Sequence, residues 1–175
     1  MIQEKVVISD ANILFDLLSV NLMDGFFALP FEVFTTDMVM HEVKTMEWKT
    51  RLETESRKHR MSIVDFTFEE LCEISDLSQQ RGAGGLSLPD CSVLYLAEQR
   101  KGRLLTGDKH LRSFAESRGV PVSGILYLFD CLVDKGILSP KEASEKLECL
   151  QQINPRLPVV ECMDRISVWR GTEQQ

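Results

Sequence analysis

Three acidic residues far apart in the chain, Asp10, Asp90 and Asp108, stand just beyond strands or at helix starts, and a fourth, Glu42, can join them. Asp10 closes the β-branched run Lys5-Val6-Val7-Ile8-Ser9, which reads as a buried strand. Asp108 follows the strand Arg103-Leu104-Leu105-Thr106, and Asp90 begins a helix that is apolar almost all round. Glu42 lies on the helix after a second strand, Val33-Phe34-Thr35. In an open parallel α/β sheet the carboxyl ends of the strands form the ligand crevice, so residues from distant segments converge there. Converging carboxylates repel and are costly to desolvate. A hard divalent cation offsets both costs, and carboxylates and water are the ligands Mg2+ and Mn2+ favour. Such ions activate water and stabilise charge on a phosphodiester under attack, with no dedicated nucleophilic side chain.

The same residues admit a plainer reading. The chain carries 27 acidic residues, so a few near strand ends are not rare. Ser87-x-x-Asp90 fits a capping box. Asp108 suits the N-cap of a helix starting at Lys109, and Asp10 suits a cap of the first helix. Glu42 suits a solvated helix face. Spacing alone leaves both readings open.

The elements that must position these acids alternate along the chain. After Asp10, the residues Ile13, Leu14, Leu17 and Leu18 give helical spacing. Thr36 is placed to cap a helix carrying Met38, Val39 and Val43. Residues 47–60 are polar and helix-prone. Ser62–Phe66 reads as a third strand, followed by a helix from about Phe68 to Gln79. Arg81-Gly82-Ala83-Gly84-Gly85 is a loop. Helices are expected from Ser87, over Lys109–Arg118, near 124–135 and near 139–152, with a short strand at Val120-Pro121-Val122. The stretch after Asn154 shows no clear signal. Strands alternating with helices predict a parallel sheet in an α/β domain.

Bulk properties narrow the function classes. At 175 residues, 43% hydrophobic and 27% charged, the chain suits one globular domain over 1–175. No apolar run approaches the roughly 18 residues of a membrane helix. Met1-Ile2-Gln3-Glu4-Lys5 lacks the features of a signal peptide, which points to a cytoplasmic protein. Cys72, Cys91, Cys131, Cys149 and Cys162 show no C-x-x-C spacing and read as reduced thiols. The net charge of −7 argues against a constitutive nucleic-acid binder but not against a nuclease. A cluster of acidic ligands itself adds negative charge, and a bound cation reverses the local sign.

At the four acids the sequence also resembles the PIN-domain nuclease family, including VapC-like toxin ribonucleases and longer bacterial and archaeal members. Val7–Leu14 is similar to that family's opening strand and first acid. Thr35–Val43 resembles its second motif, with Glu42 in the acidic position. Leu86–Ala97 resembles the third and Leu104–Leu111 the fourth. Each motif is weak alone, but four in order over about residues 5–126 are specific. The resemblance implies a three-layer α/β/α domain with a central, mainly parallel sheet of about five strands. It implies Asp10, Glu42, Asp90 and Asp108 as catalytic residues and ligands of Mg2+ or Mn2+, with Asn12 and Thr106 supporting them. It further implies endoribonuclease activity, an RNA substrate, a homodimer and, for toxin relatives, a partner antitoxin protein. Two departures stand out. Gly107 replaces a residue that is often polar, and a helical extension, about 127–175, follows the core.

Other residues offer weaker signals. Lys44, Lys49, Arg51, Arg57, Lys58 and Arg60 make 44–60 locally basic, either a flap for the RNA backbone or a solvated helix with pairs such as Glu53–Arg57. Lys109 and Arg112, with Arg100, Lys101 and Arg103, are a second candidate phosphate patch. His41, His59 and His110 lack ligand spacing. Gly82–Gly85 lacks the lysine of a phosphate loop. The competing reading from another class is a non-catalytic PIN-fold module that binds RNA or protein. A phosphatase reading lacks support, because Asp10-Ala11-Asn12 has no second acid.

Overall fold

The computed structural model describes residues 5–171. Met1–Glu4, which bear most of the N-terminal reading, lie outside them. Five strands form one sheet: β1 (Val6–Ser9), β2 (Glu32–Thr36), β3 (Ser62–Val64), β4 (Arg103–Leu105) and β5 (Val122–Ser123). The order is β3-β2-β1-β4-β5, and every neighbouring pair is parallel. The helices are α1 (Ala11–Ser19), α2 (Met23–Ala28), α3 (Asp37–Glu42), α4 (Met46–Arg57), α5 (Phe68–Ser78), α6 (Leu88–Arg100), α7 (Lys109–Ser117), α8 (Ile125–Asp134), α9 (Pro140–Ile153) and α10 (Val159–Gly171). This is the expected three-layer α/β/α class, with a sheet that is wholly parallel.

The strand order explains where a site forms. From β1 the chain moves to β2 and β3 on one side. It then returns to the other side of β1 for β4 and β5. Loops leaving β1 and β4 therefore run apart, and the crevice of a parallel α/β sheet opens at such a switch point. Asp10 directly follows β1, and Thr106 to Asp108 directly follow β4.

By its contacts the chain divides into two compact units, residues 1–13 with 30–123 and residues 14–29 with 124–175. The first unit holds the sheet. Val7 and Ile8 of β1 are fully buried, as a central parallel strand requires. Gly102 leads into β4 and is needed there. A Cβ at this position would lie 2.6 Å from Ile8 Cδ1 and 2.8 Å from Val6 Cγ1. The apolar helix expected after Ser87 is α6, in which Cys91 to Ala97 are all buried.

The second unit has its own core, with Leu14, Leu17, Phe26, Leu128, Phe129, Leu147 and Leu150 fully buried. Phe129 stacks on Trp169 of α10, with ring centroids 6.2 Å apart. Asp16 of α1 is only 8% exposed there. Burial pushes its carboxyl up to about 6, opposed by the Asn154 amide, which donates to both oxygens at 3.0 and 3.3 Å. The folded chain thus holds this proton at a pH where the unfolded chain, near 3.8, has lost it. The resulting stability is complete below about 4 and is lost as pH rises through about 6. Asp16→Asn is expected to stabilise the protein at pH 7 by about 1–2 kcal/mol and by almost nothing at pH 4. Thermal denaturation at the two pH values checks this. An equal shift at both contradicts it.

Candidate functional site

Asp10 is the centre of the acidic constellation, and its neighbours hold it closely. It is 3% exposed. Oδ1 accepts from Ala11 N at 2.7 Å, and Oδ2 accepts from Asn12 Nδ2 at 2.6 Å and from Thr106 Oγ1 at 2.8 Å. Burial pushes the carboxyl up to about 6. The Thr106 hydroxyl opposes that shift, the charge of Asp90 adds to it, the Ala11 amide opposes it and Glu42 adds to it. Asp10, Asp90 and Glu42 are therefore brought within electrostatic reach of one another, from β1, α6 and α3.

Glu42, the last residue of α3, is half-buried. Its carboxyl is raised by burial and by Asp90, and lowered by Lys44. Asp90 closes a capping box at the start of α6, with Oδ2 accepting from Ser87 N and Ser87 Oγ, each at 2.8 Å. The box engages Oδ2, and a carboxylate has two oxygens. Burial and the Asp90 charge also push the neighbouring Cys91 thiol up to about 11.

Asp108 is more peripheral. It is exposed and caps α7, with Oδ1 accepting from Leu111 N at 2.8 Å. Its own amide donates to Thr106 Oγ1 at 3.1 Å, so it is linked to Asp10 through Thr106. The capping readings of Asp90 and Asp108 are thus both realised in the structure. Capping and ion binding are compatible for a group with two acceptor oxygens.

Asn12 and Thr106 both donate to Asp10 Oδ2. Asn12 Oδ1 accepts from Gly107 N at 2.8 Å and ties the loop after β4 to the start of α1. A Cβ at position 107 would lie 3.3 Å from Asn12 Oδ1, a tight approach that glycine avoids. The departure at Gly107 therefore has a local reason.

The basic candidates are largely engaged elsewhere. Arg51, Lys58 and Arg60 gather on the fully buried Glu55. Arg57 lies 3.9 Å from Glu53, the pair expected of a solvated helix. Lys44 Nζ donates to His41 O at 3.0 Å, and Lys49 is half-buried. Arg112 donates to Thr106 O at 3.2 Å and to Val122 O at 3.4 Å, bracing the ends of β4 and β5. Lys109 stands exposed beside Asp108. His110 Nε2 lies 2.9 Å from Gly82 O and anchors the glycine loop.

The donor set suits a hard divalent cation: oxygen donors, one of them the buried carboxylate of Asp10, on which the like charges of Asp90 and Glu42 bear. As placed, however, no group of three or more His, Cys, Asp or Glu among the described residues stands close enough to hold an ion.

The fold is a wholly parallel α/β sheet with acidic residues at its switch point. The chain matches the family described as PIN domain over residues 6–169, and it belongs to that family. Among solved structures it is similar to the crystal structure of PAE2754 from Pyrobaculum aerophilum. The TM-score is 0.50 and the identity 16%, covering 73% of this chain and 96% of that one. At that identity the likeness concerns the fold. No curated protein matches the sequence. PIN domains are generally nucleases. No helix among the described residues is long and apolar enough to cross a membrane.

Proposed function

We propose that this chain is a Mg2+- or Mn2+-dependent endoribonuclease that hydrolyses RNA phosphodiester bonds. One observation carries the reading. Asp10, almost wholly buried at the end of β1, faces the like charges of Asp90 and Glu42. That is an expensive arrangement for structure alone.

Asp10, Asp90 and Glu42 would hold the ion, with Asp108 at the margin of the pocket. When bound, such an ion supplies water activation and charge stabilisation at the phosphodiester. The protein's own groups do the orienting. Thr106 and Asn12 fix the Asp10 carboxylate by two donated hydrogen bonds. The Ser87 box fixes Asp90. Lys109 offers a positive charge beside the acids for the RNA backbone. Lys44 and Lys49 are the further candidates from the basic segment.

Two finer elements belong to the same proposal. The chain is the toxin of a toxin–antitoxin pair, for which a neighbouring gene encoding a small DNA-binding antitoxin is the discriminating observation. It also acts as a homodimer. Val159, Val160, Met163 and Val168 of α10 are exposed apolar side chains, whereas Leu126 and Val133 of α8 are half-buried. Light scattering at micromolar concentration is expected to give twice the 20.0 kDa chain mass.

The second reading, a non-catalytic binding module, draws on the capping roles of Asp90 and Asp108. Ion binding separates the two. Millimolar Mn2+ is expected to raise the melting temperature of the parent, because an ion that binds only the folded state stabilises it. At a hundred times the dissociation constant the gain is about 2.7 kcal/mol. A melting temperature unchanged up to 10-fold above any plausible working level, on the order of tens of millimolar, counts against the ion site.

A further inference from the structure

Polar side chains buried inside an apolar helix need partners, and Ser92 is the polar exception in α6. It is fully buried, as is Thr36 at the end of β2. Their hydroxyl oxygens lie 2.8 Å apart. The direction of that bond follows from proton counting. Ser92 Oγ has one hydrogen, and it is donated to Pro89 O at 2.7 Å. Thr36 must therefore donate to Ser92. Thr36 Oγ1 in turn accepts from Val39 N at 3.2 Å, as the N-cap of α3. The result is one continuous chain from Val39 N–H through Thr36 and Ser92 to the Pro89 carbonyl. Each hydroxyl both donates and accepts, and such chains strengthen cooperatively.

The ends of this chain are the two helices that carry acids. Thr36 starts α3, whose last residue is Glu42 about 9 Å further along at the ordinary helical rise. Ser92 lies two positions after Asp90 on α6. Glu42 and Asp90 are near enough to repel. Repulsion between them acts to splay the helices, and the hydroxyl bridge resists it. A second buried bond, Thr35 Oγ1 to Ser9 O at 2.9 Å, ties β2 to the residue preceding Asp10.

We propose that the Thr36–Ser92 hydroxyl pair is a positioning device that fixes α3 against α6, so that the side chains of Glu42 and Asp90 can converge on a divalent cation. The inference rests on the ion-site reading given above. Thr36 and Ser92 themselves touch neither ion nor substrate. Their effect is transmitted through the two helices.

The test measures Mn2+ affinity by electron paramagnetic resonance of the free ion, on the full chain without RNA. Ser92→Ala removes the bridge, Thr36→Val removes the hydroxyl at nearly constant shape, and Thr36→Ser keeps the hydroxyl. Circular dichroism establishes that each variant is folded. Ser92→Ala and Thr36→Val are each expected to weaken Mn2+ binding by ~10-fold or more, the usual effect of losing a group that orients a ligand. Thr36→Ser is expected to bind within about threefold of the parent, and the double variant Thr36→Val with Ser92→Ala to lose no more than the worse single one. If one removal variant does not fold, the other together with Thr36→Ser carries the comparison. Full Mn2+ affinity in folded Ser92→Ala or Thr36→Val overturns the inference while leaving the ion site standing. Equal loss in Thr36→Ser and Thr36→Val also overturns it, because the hydroxyl then has no part. A parent that binds no Mn2+ overturns the ion-site reading and this inference together.

Discussion

Asp10→Asn is expected to lower ion-dependent RNA cleavage by about 10²–10³-fold or more while leaving the circular dichroism spectrum unchanged. The substitution keeps the size of the side chain and an acceptor for the Ala11 amide. It removes the charge that makes the pocket a cation site. It also turns one oxygen into a donor, which conflicts with the bonds that Asn12 and Thr106 give to Oδ2. The loss therefore combines absent charge with misorientation. A folded variant that cuts RNA as fast as the parent would show that Asp10 is a buried structural acid.

The largest expected effect on stability lies away from the acids, at Glu55. Its side chain is fully buried on α4, with Arg51 Nε at 3.1 Å and Arg60 NH2 at 2.5 Å, and Lys58 at 3.9 Å. Removing one partner of a buried ion cluster strands the others, at about 3–5 kcal/mol in fully buried cases. The arginine side chains here are 40% and 33% exposed and can turn partly to water. Glu55→Ala is therefore expected to destabilise by about 2–4 kcal/mol. Urea unfolding of the two proteins checks this, and a midpoint unchanged in the variant contradicts it. The contrast with Arg57, 3.9 Å from Glu53 and 72% exposed, is useful. Arg57→Ala is expected to change stability by less than about 0.5 kcal/mol.

What the sequence reveals about this protein follows from how local each signal is. β1 and β4 are legible because short apolar runs end at an acid, and α6 because its residues are apolar on every side. The capping boxes at Ser87 and Ser139 mark helix starts by chemistry within four residues. By contrast α2 has only six residues, a glycine and no side-chain cap, so its helicity depends on tertiary packing. Gly25 of that helix sits where a Cβ would lie 3.3 Å from Leu132. The last helix, α10, is hard to read for another reason. It buries Cys162, Ile166 and Trp169 and also exposes Val159, Val160, Met163 and Val168, so no single apolar stripe stands out.

The candidate site divides in the same way. Asp10, Glu42 and Asp90 are suggested by their places beside strands and helices, and the fold draws their charges together. The roles of the basic residues are not legible, because they depend on partners distant in space. Nothing about Arg112 alone says that it braces Thr106 and Val122. Nor does Arg60 announce its pairing with Glu55 across the end of α4. The Thr36–Ser92 bridge spans 56 residues. A lone serine within the buried run Cys91–Ala97 of α6 is the one hint of it, since a buried hydroxyl must find a partner.

The most direct measurement is cleavage of a labelled single-stranded RNA by the purified chain, with Mg2+, with Mn2+ and with EDTA. Internal cuts are predicted with either ion, none with EDTA, and recovery when the ion is restored in excess. RNA that stays intact with both ions, or that is cut equally well in EDTA, would contradict the proposal that these carboxylates form an ion-dependent nuclease site.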